Sequence, residues 1–159
     1  QNRMSINSTK SKVVFITSKG NSSRVINAQP QIHLNDSLIE TCSSAKLLGV
    51  TINTSLSWST HIHDVIKKCN SYLYILSRIK VYISVDNRKL FYNAYILPHF
   101  DVVSYCSCCS QFLEERLVRL QKSAARIILD FDFSVPYFVL FSKLRWMTFP
   151  ERVLYQKAI

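Results

Sequence analysis

Glycine is scarce in this chain of 159 residues, and its scarcity removes two classes of function. Only Gly20 and Gly49 occur, where average usage of ~7% would give about eleven. Two glycines are too few for the Gly-x-Gly-x-x-Gly loop of dinucleotide-binding domains, and Gly20 and Gly49 are too far apart in sequence for the Walker A loop of P-loop proteins. A conventional nucleotide-binding site is therefore excluded.

Long apolar runs and a secretory leader are missing as well. The nearest candidate for a membrane span, residues 90–113, is interrupted by Pro98, His99 and Asp101, and a span needs about 18 uninterrupted apolar residues. The five cysteines are an odd number, which fits a reducing compartment better than a disulfide framework. We expect an intracellular protein of the cytoplasm and nucleus that is not secreted and has no membrane partner.

Positive charge is what the sequence has in excess. Lys and Arg number 20 against 10 Asp and Glu, which gives a formal net charge of +10. The excess divides as +4 over residues 1–57, +5 over 58–129 and +1 over 130–159. A basic balance favours phosphate-rich partners, while 48% hydrophobic residues indicate a folded chain rather than a disordered one.

The first 57 residues have the pattern of short strands. β-type apolar runs at 13–16, 32–34 and 47–52 are separated by segments rich in Ser, Asn and Gly. Such runs between turn residues predict several short strands arranged in hairpins.

From Trp58 the apolar period changes to three and four residues, which predicts helices. The first helix spans 58–79 with Ser59 or Thr60 as its cap, and the second runs from a Ser84 cap to about Leu97, where Pro98 ends it. The third begins after Ser110. The predicted fold class is therefore α+β, with β-hairpins followed by a mainly helical bundle.

The same periodicity predicts which side chains are buried. The faces expected to be apolar in the first, second and third helix are, in turn, Ile62, Val65, Ile66, Cys69, Leu73, Leu76 and Ile79; Leu90, Phe91, Ala94 and Tyr95; and Leu113, Leu117, Leu120, Ala124, Ile127 and Ile128. The aromatic-rich segment 130–159 follows, where Pro136 and Pro150 interrupt any helix.

No metal or hydrolytic site is predicted. Cys106, Cys108 and Cys109 form a Cys-x-Cys-Cys cluster whose spacing fits no common zinc pattern. Plain buried or loop thiols are the simpler interpretation. Asp130 and Asp132 could form a Mg²⁺ pair only in an extended segment, whereas they follow what looks like a helix end.

A basic stripe on the third helix is the clearest functional pattern in the residues themselves. Arg116, Arg119, Lys122 and Arg126 fall within ~120° of helical arc, opposite the predicted core face. A solvated helix face is one interpretation. The other is a track for a phosphate backbone, since each Lys or Arg that contacts a phosphate releases counterions.

Several separate segments occur in the order found in one polymerase family. They are residues 7–15 (Asn-Ser-Thr-Lys-Ser-Lys-Val-Val-Phe), 46–52 (Lys-Leu-Leu-Gly-Val-Thr-Ile), 56–62 (Leu-Ser-Trp-Ser-Thr-His-Ile), 90–98 (Leu-Phe-Tyr-Asn-Ala-Tyr-Ile-Leu-Pro), 117–128 (with Leu-Gln-Lys-Ser-Ala-Ala-Arg-Ile-Ile at its end) and 144–152 (Leu-Arg-Trp through Arg). Together they resemble the C-terminal part of non-LTR (LINE-type, jockey/CR1-like) retrotransposon reverse transcriptases. Nearly the whole chain takes part in the resemblance.

The resemblance implies a division into three parts and an incomplete catalytic centre. Residues 1–57 would be the end of the polymerase palm, 58–129 a helical thumb-like region, and 130–159 a truncated segment after the thumb. The family's Phe/Tyr-Ala-Asp-Asp motif is absent, so this chain alone is expected to be inactive. Two Mg²⁺ ions serve the complete enzymes, and no cofactor is expected here. The implied partners are the RNA template, the DNA primer, and the missing palm and fingers segments.

The resemblance also assigns roles to individual residues. Lys10 matches a lysine that would protonate the leaving pyrophosphate, although a solvated lysine is an equal alternative. Lys46, Leu48 and Gly49 match the primer-grip hairpin, for which a plain β-hairpin is the alternative. The thumb would contact nucleic acid through its cations, which are Lys67, Lys68, Arg116, Arg119, Lys122 and Arg126. Trp58 and His61 are expected to be packing residues.

Three functions therefore remain open. The chain is expected to be a reverse-transcriptase fragment, since it begins at Gln1 and ends within a predicted helix. The alternatives are a stand-alone basic helical module that binds nucleic acid, and a decayed product without activity.

Overall fold

The structure is a computed structural model that describes residues 6–18, 28, 30–34, 37–105 and 110–158. It divides into two compact units, Gln1–His61 and Ile62–Ile159. Short strands occupy the first unit and helices nearly all of the second. The predicted α+β class is confirmed.

Among the described residues of the first unit, six short strands pair two by two. They are β1 (Lys12–Val13), β2 (His33–Leu34), β3 (Ser37–Leu38), β4 (Glu40–Thr41), β5 (Ser44–Leu47) and β6 (Val50–Asn53). The pairs β2–β3 and β5–β6 are antiparallel, but β1 and β4 pair in parallel. The predicted hairpins are found in β2–β3 and β5–β6, whereas β1 and β4 form a parallel pair between distant parts of the sequence, which the hairpin prediction did not include.

A two-residue turn closes the longest hairpin, between β5 and β6. Leu47 pairs with Val50, and the residues between them, Leu48 and Gly49, have φ angles of 48° and 89°. Two consecutive positive φ angles are the signature of a type I′ turn, which matches the right-handed twist of the flanking strands. Gly49 suits such a position, whereas a leucine there is strained.

Six α-helices occupy the described part of the chain from residue 59 onward. They are α1 (Ser59–Ile79), α2 (Val85–Tyr95), α3 (Leu97–Tyr105), α4 (Gln111–Leu129), α5 (Tyr137–Leu144) and α6 (Phe149–Ala158), with a 3₁₀ turn over Lys80–Tyr82. The three predicted helices correspond to α1, α2 and α4. None in the described residues is both long and apolar enough to cross a membrane.

Proline acts differently from the prediction. Pro98 was expected to end the second helix, but α2 already ends at Tyr95, and Pro98 lies in the first turn of α3. A proline is tolerated there because the first turn's N–H groups have no intrahelical partner. Pro150 likewise lies in the first turn of α6, and Pro136 is the N-cap of α5. These prolines mark helix starts.

The structure has the predicted N-cap at the start of α2 but a different one at the start of α1. The Ser84 hydroxyl accepts from the N–H of Asn87 at 3.3 Å, as an N-cap should. At the start of α1, the Ser57 hydroxyl accepts from the N–H of Ser59 at 3.3 Å. The capping position therefore precedes Ser59 and Thr60, which are the first residues of the helix itself.

The predicted buried faces are confirmed for the two long helices. In α1, six of the seven predicted core residues are buried, and Ile79 is half-buried. In α4, Gln121 and Ala125 join the buried face, and Ile127 is half-buried. The predicted face of α2 was wrong, because Leu90 and Tyr95 are exposed and the buried positions are Arg88, Tyr92 and Ile96.

Arg88 explains why α2 turns a different face to the core. Its side chain is only 9% exposed, and its guanidinium donates to the carbonyl oxygens of Ile83 (3.2 Å), Ile128 (3.0 Å) and Lys80 (2.5 Å). These carbonyls include one from the last turn of α4, where backbone oxygens lack intrahelical partners. Arg88 therefore joins three segments at one end of the bundle.

The aromatic segment after residue 129 packs into the same helical unit. Helix α3 packs against α6, and α4 packs against both α5 and α6. The Trp146 ring stacks on Tyr92 with centroids 4.1 Å apart. Arg152 Nε donates to Asp101 at 2.6 Å, and Gln121 Nε2 donates to the Met147 carbonyl at 2.7 Å. Residues 130–158 thus complete the core of the helical unit.

Candidate nucleic-acid interface

Two predicted nucleic-acid-binding cations from different helices lie on one groove. Lys67 of α1 and Arg116 of α4 line a depression of about 800 Å³. Asn70, Ser71 and Tyr74 of α1 add hydrogen-bonding groups and an exposed ring to its wall. A carboxylate, that of Asp64, lines it as well.

These two cations are available for an external anion. Among the described residues, neither Lys67 nor Arg116 forms an ion pair, and Lys67 is exposed. Arg116 is half-buried, with its guanidinium carbon 5.8 Å from the centre of the Phe112 ring. A cation over a ring keeps its charge and its outer N–H donors. The groove therefore offers two positive groups held by separate helices.

The other cations of the basic stripe on α4 each contact a side chain of the protein. Arg119 pairs with Glu115 at 3.2 Å across one helical turn. The Lys122 ammonium lies 3.9 Å from the centre of the Tyr137 ring, and the Arg126 guanidinium carbon lies 4.9 Å from that of Phe133. An exposed i,i+4 ion pair is weak, so a phosphate can compete for Arg119. Of the four stripe cations, Arg119 is the one that forms an ion pair with a described residue, and the other three lie over aromatic rings.

Lys68 follows Lys67 in α1 but is not among the residues that line the groove. It is exposed, and its ammonium lies 5.8 Å from the centre of the Tyr72 ring. Because adjacent helical residues diverge by ~100°, Lys67 and Lys68 serve different faces of α1. Only Lys67 lines the groove with Arg116.

The predicted primer-grip residues form the tip of the β5–β6 hairpin. Leu48 is 97% exposed at a positive φ angle, and Lys46 is exposed on β5 opposite Thr51. Because nearly all of its surface is in water, the Leu48 side chain stabilises the fold little through burial. Strained positions of this kind are found more often at functional sites than elsewhere. This is a property of the first unit alone.

Lys10 ends a short 3₁₀ turn over Ser8–Lys10 and is exposed. Asn7 caps that turn by accepting from the N–H of Thr9 at 3.0 Å. No carboxylate pairs with Lys10 within the described ranges. The geometry is that of a solvated lysine, and its assignment as a proton donor stays a prediction.

Other candidate residues have structural surroundings. His61 is buried, and its Nδ1 accepts from the N–H of Thr51 at 3.4 Å, while His63 is exposed. Burial raises the pKa of the Cys69 thiol to about 12, so this thiol stays protonated and is no nucleophile. Cys106, Cys108 and Cys109 lie outside the described residues.

The two aspartates after α4 are held by separate partners. Asp130 accepts from the Lys80 ammonium at 2.5 Å, and this hydrogen bond and charge lower the pKa of the carboxyl. Asp132 accepts from the hydroxyl and the N–H of Ser134, which lower its pKa. In the described part of the chain, no three His, Cys, Asp or Glu side chains cluster to hold a metal ion.

The sequence patterns missed the aromatic members of these surfaces. Tyr74 lines the groove, while Phe133 and Tyr137 lie against the stripe cations. Tyr74 is seven residues from Lys67, hence on the same helix face, so that contact was accessible from spacing. The contacts of Phe133 and Tyr137 depend on the chain reversal after α4, which no local pattern specifies.

Comparison of the chain with models of protein families, with curated proteins and with solved structures finds no match.

Proposed function

We propose that the chain is the C-terminal part of a non-LTR retrotransposon reverse transcriptase and contributes contacts to the template–primer. One observation carries the proposal: Lys67 and Arg116, from two separate helices, line one groove without an ion-pair partner among the described residues. The motif order and the succession of small strands and helices support the family assignment. The first unit would be the end of the palm, and the helices the thumb.

The proposed contribution is electrostatic positioning rather than bond chemistry. A polynucleotide backbone presents regularly spaced phosphates, and each cation that neutralises one releases condensed counterions. Groups fixed on helices recognise the shape and backbone of a duplex rather than its sequence. The Leu48 tip would touch the nucleic acid through its apolar side chain. Such a role implies action in the cytoplasm and nucleus.

The second candidate is a stand-alone basic helical module that binds nucleic acid without any link to polymerisation. Its support is that Ile62–Ile159 is compact on its own. The coding sequence upstream of Gln1 separates the two candidates. A Tyr/Phe-Ala-Asp-Asp codon series there, in frame or frameshifted, supports the polymerase, and its absence supports the module. A decayed product would show neither that motif nor any binding.

The binding test replaces the two groove cations in the full chain. The double variant K67A/R116A is expected to bind an RNA–DNA hybrid more weakly and with a salt dependence reduced by up to about 2 in log–log slope. The control K89A/K157A removes the same formal charge from exposed or half-buried helical positions and is expected to leave the slope closer to that of the parent chain. If both double variants lost the same affinity and the same amount of salt dependence, total charge alone would govern binding, which would contradict a site at the groove.

A further inference from the structure

A second surface of the helical unit combines exposed aromatic rings with cations. Three ammonium or guanidinium groups lie over rings: Lys122 over Tyr137 at 3.9 Å, Arg126 over Phe133 at 4.9 Å, and Lys143 over Phe131 at 4.6 Å. They connect α4, the segment that follows it, and α5. We call this set the aromatic–basic surface.

Two rings at or beside the aromatic–basic surface are largely open to solvent. Phe133 is 85% exposed, and Phe138, whose ring lies edge-on 6.3 Å from that of Tyr137, is 64% exposed. Because these rings are buried little by the core, their apolar area stabilises the fold little. Exposed aromatic clusters of this kind mark binding sites.

The three cations also keep their charge for an external partner. Lys122, Arg126 and Lys143 form no ion pair with any described residue. Of the two aspartates that neighbour these rings in sequence, Asp130 is paired with the Lys80 ammonium, whereas Asp132 accepts from the uncharged Ser134 and keeps its negative charge. With three cations against the one carboxylate of Asp132, the surface is positive as well as aromatic.

We propose that the aromatic–basic surface binds single-stranded nucleic acid, with unpaired bases stacked on Phe133 and its neighbouring rings and with phosphates near Lys122, Arg126 and Lys143. The inference rests on the proposed nucleic-acid function and adds that this surface takes an unpaired strand. Bases inside a duplex stack on each other and expose no ring faces, whereas unpaired bases stack readily on aromatic side chains beside cations. Stacking accepts any base, so little sequence preference is expected.

The test compares two matched substitutions of equally exposed aromatic residues. Phe133 and Tyr82 are each 85% exposed, but Tyr82 lies over no cation in the described structure. Binding of a fluorescent single-stranded RNA of mixed sequence is measured for the full chain, F133L and Y82L. F133L is expected to lose about tenfold in affinity, while Y82L stays within twofold. Circular dichroism checks that both variants remain folded.

Two further measurements separate the single-strand site from the proposed function of template–primer binding. A blunt RNA–DNA hybrid is expected to bind F133L and the full chain equally, because the groove cations are unchanged. If hybrid binding is intact and F133L binds the single strand as well as Y82L does, the stacking site is overturned while the proposed function stands. Vesicles containing an anionic lipid test the other chemistry that such surfaces serve. Loss of vesicle binding in F133L with unchanged RNA binding would also overturn the inference.

Discussion

At the residue scale, Arg88 is the side chain on which the end of the helical bundle most depends. Replacing it with alanine leaves the carbonyls of Ile83, Ile128 and Lys80 without their donor. Bonds from a charged donor contribute more than neutral ones, and unpaired buried carbonyls are costly. We expect R88A to lower the free energy of unfolding by about 2–3 kcal/mol, measured by urea denaturation. The neighbouring surface variant K89A is the control, with an expected change within about 0.5 kcal/mol. A similar loss in both variants would contradict the role of Arg88.

A second residue-scale prediction concerns the ion pair of Asp130 with Lys80. Lys80 lowers the pKa of this carboxyl from its ordinary value of 3.8. The pair therefore stabilises the fold above that ordinary pKa, and the stabilisation is lost as the pH falls through the lower, folded value. Asp130 has a φ of 58°, and asparagine tolerates this conformation equally well, so D130N removes only the charge. The difference in unfolding free energy between the parent chain and D130N should shrink as the pH falls below 3.8. A difference that is independent of pH would contradict the pairing.

At the scale of elements, the turn of the β5–β6 hairpin is expected to show a trade-off between stability and nucleic-acid binding. Asn-Gly is the preferred pair for a type I′ turn, so L48N is expected to stabilise the hairpin by about 1 kcal/mol. Slower exchange of the Ser44–Asn53 amides would report this. The same change should weaken hybrid binding, since the exposed apolar tip is lost. L48A, which keeps the backbone strain, should weaken binding without the gain in stability. Unchanged binding in both variants would make Leu48 a plain turn residue.

The elements also differ in how far the sequence predicted them. The periodicity of α1 and α4 predicted both their extent and their buried faces, because long amphipathic helices contain many regularly spaced apolar residues. The same reasoning failed for α2, since its core face is built on Arg88, and a buried arginine is recognisable only from the carbonyls that other segments supply. Helix α3 was missed because Pro98 was interpreted as a stop rather than as part of a first turn.

At the scale of the whole molecule, the cations behind the net charge of +10 fall into two groups in the structure. Some cations are engaged in the fold, such as Arg88, Arg152 and Lys80. Others line the α1–α4 groove or the aromatic–basic surface. Composition predicted an anionic partner, but it could not separate these classes, because tertiary contacts decide which cation is engaged internally.

The salt dependence of hybrid binding by the full chain tests the central claim most directly. Affinity for an RNA–DNA hybrid is measured between about 50 and 200 mM salt, and the logarithm of the association constant is plotted against the logarithm of salt concentration. Neutralisation of at least two phosphates by the groove cations requires a slope of about −2 or steeper. We expect that slope for the full chain and a shallower one for K67A/R116A. A flat plot, or no detectable binding at the lowest salt, would contradict it.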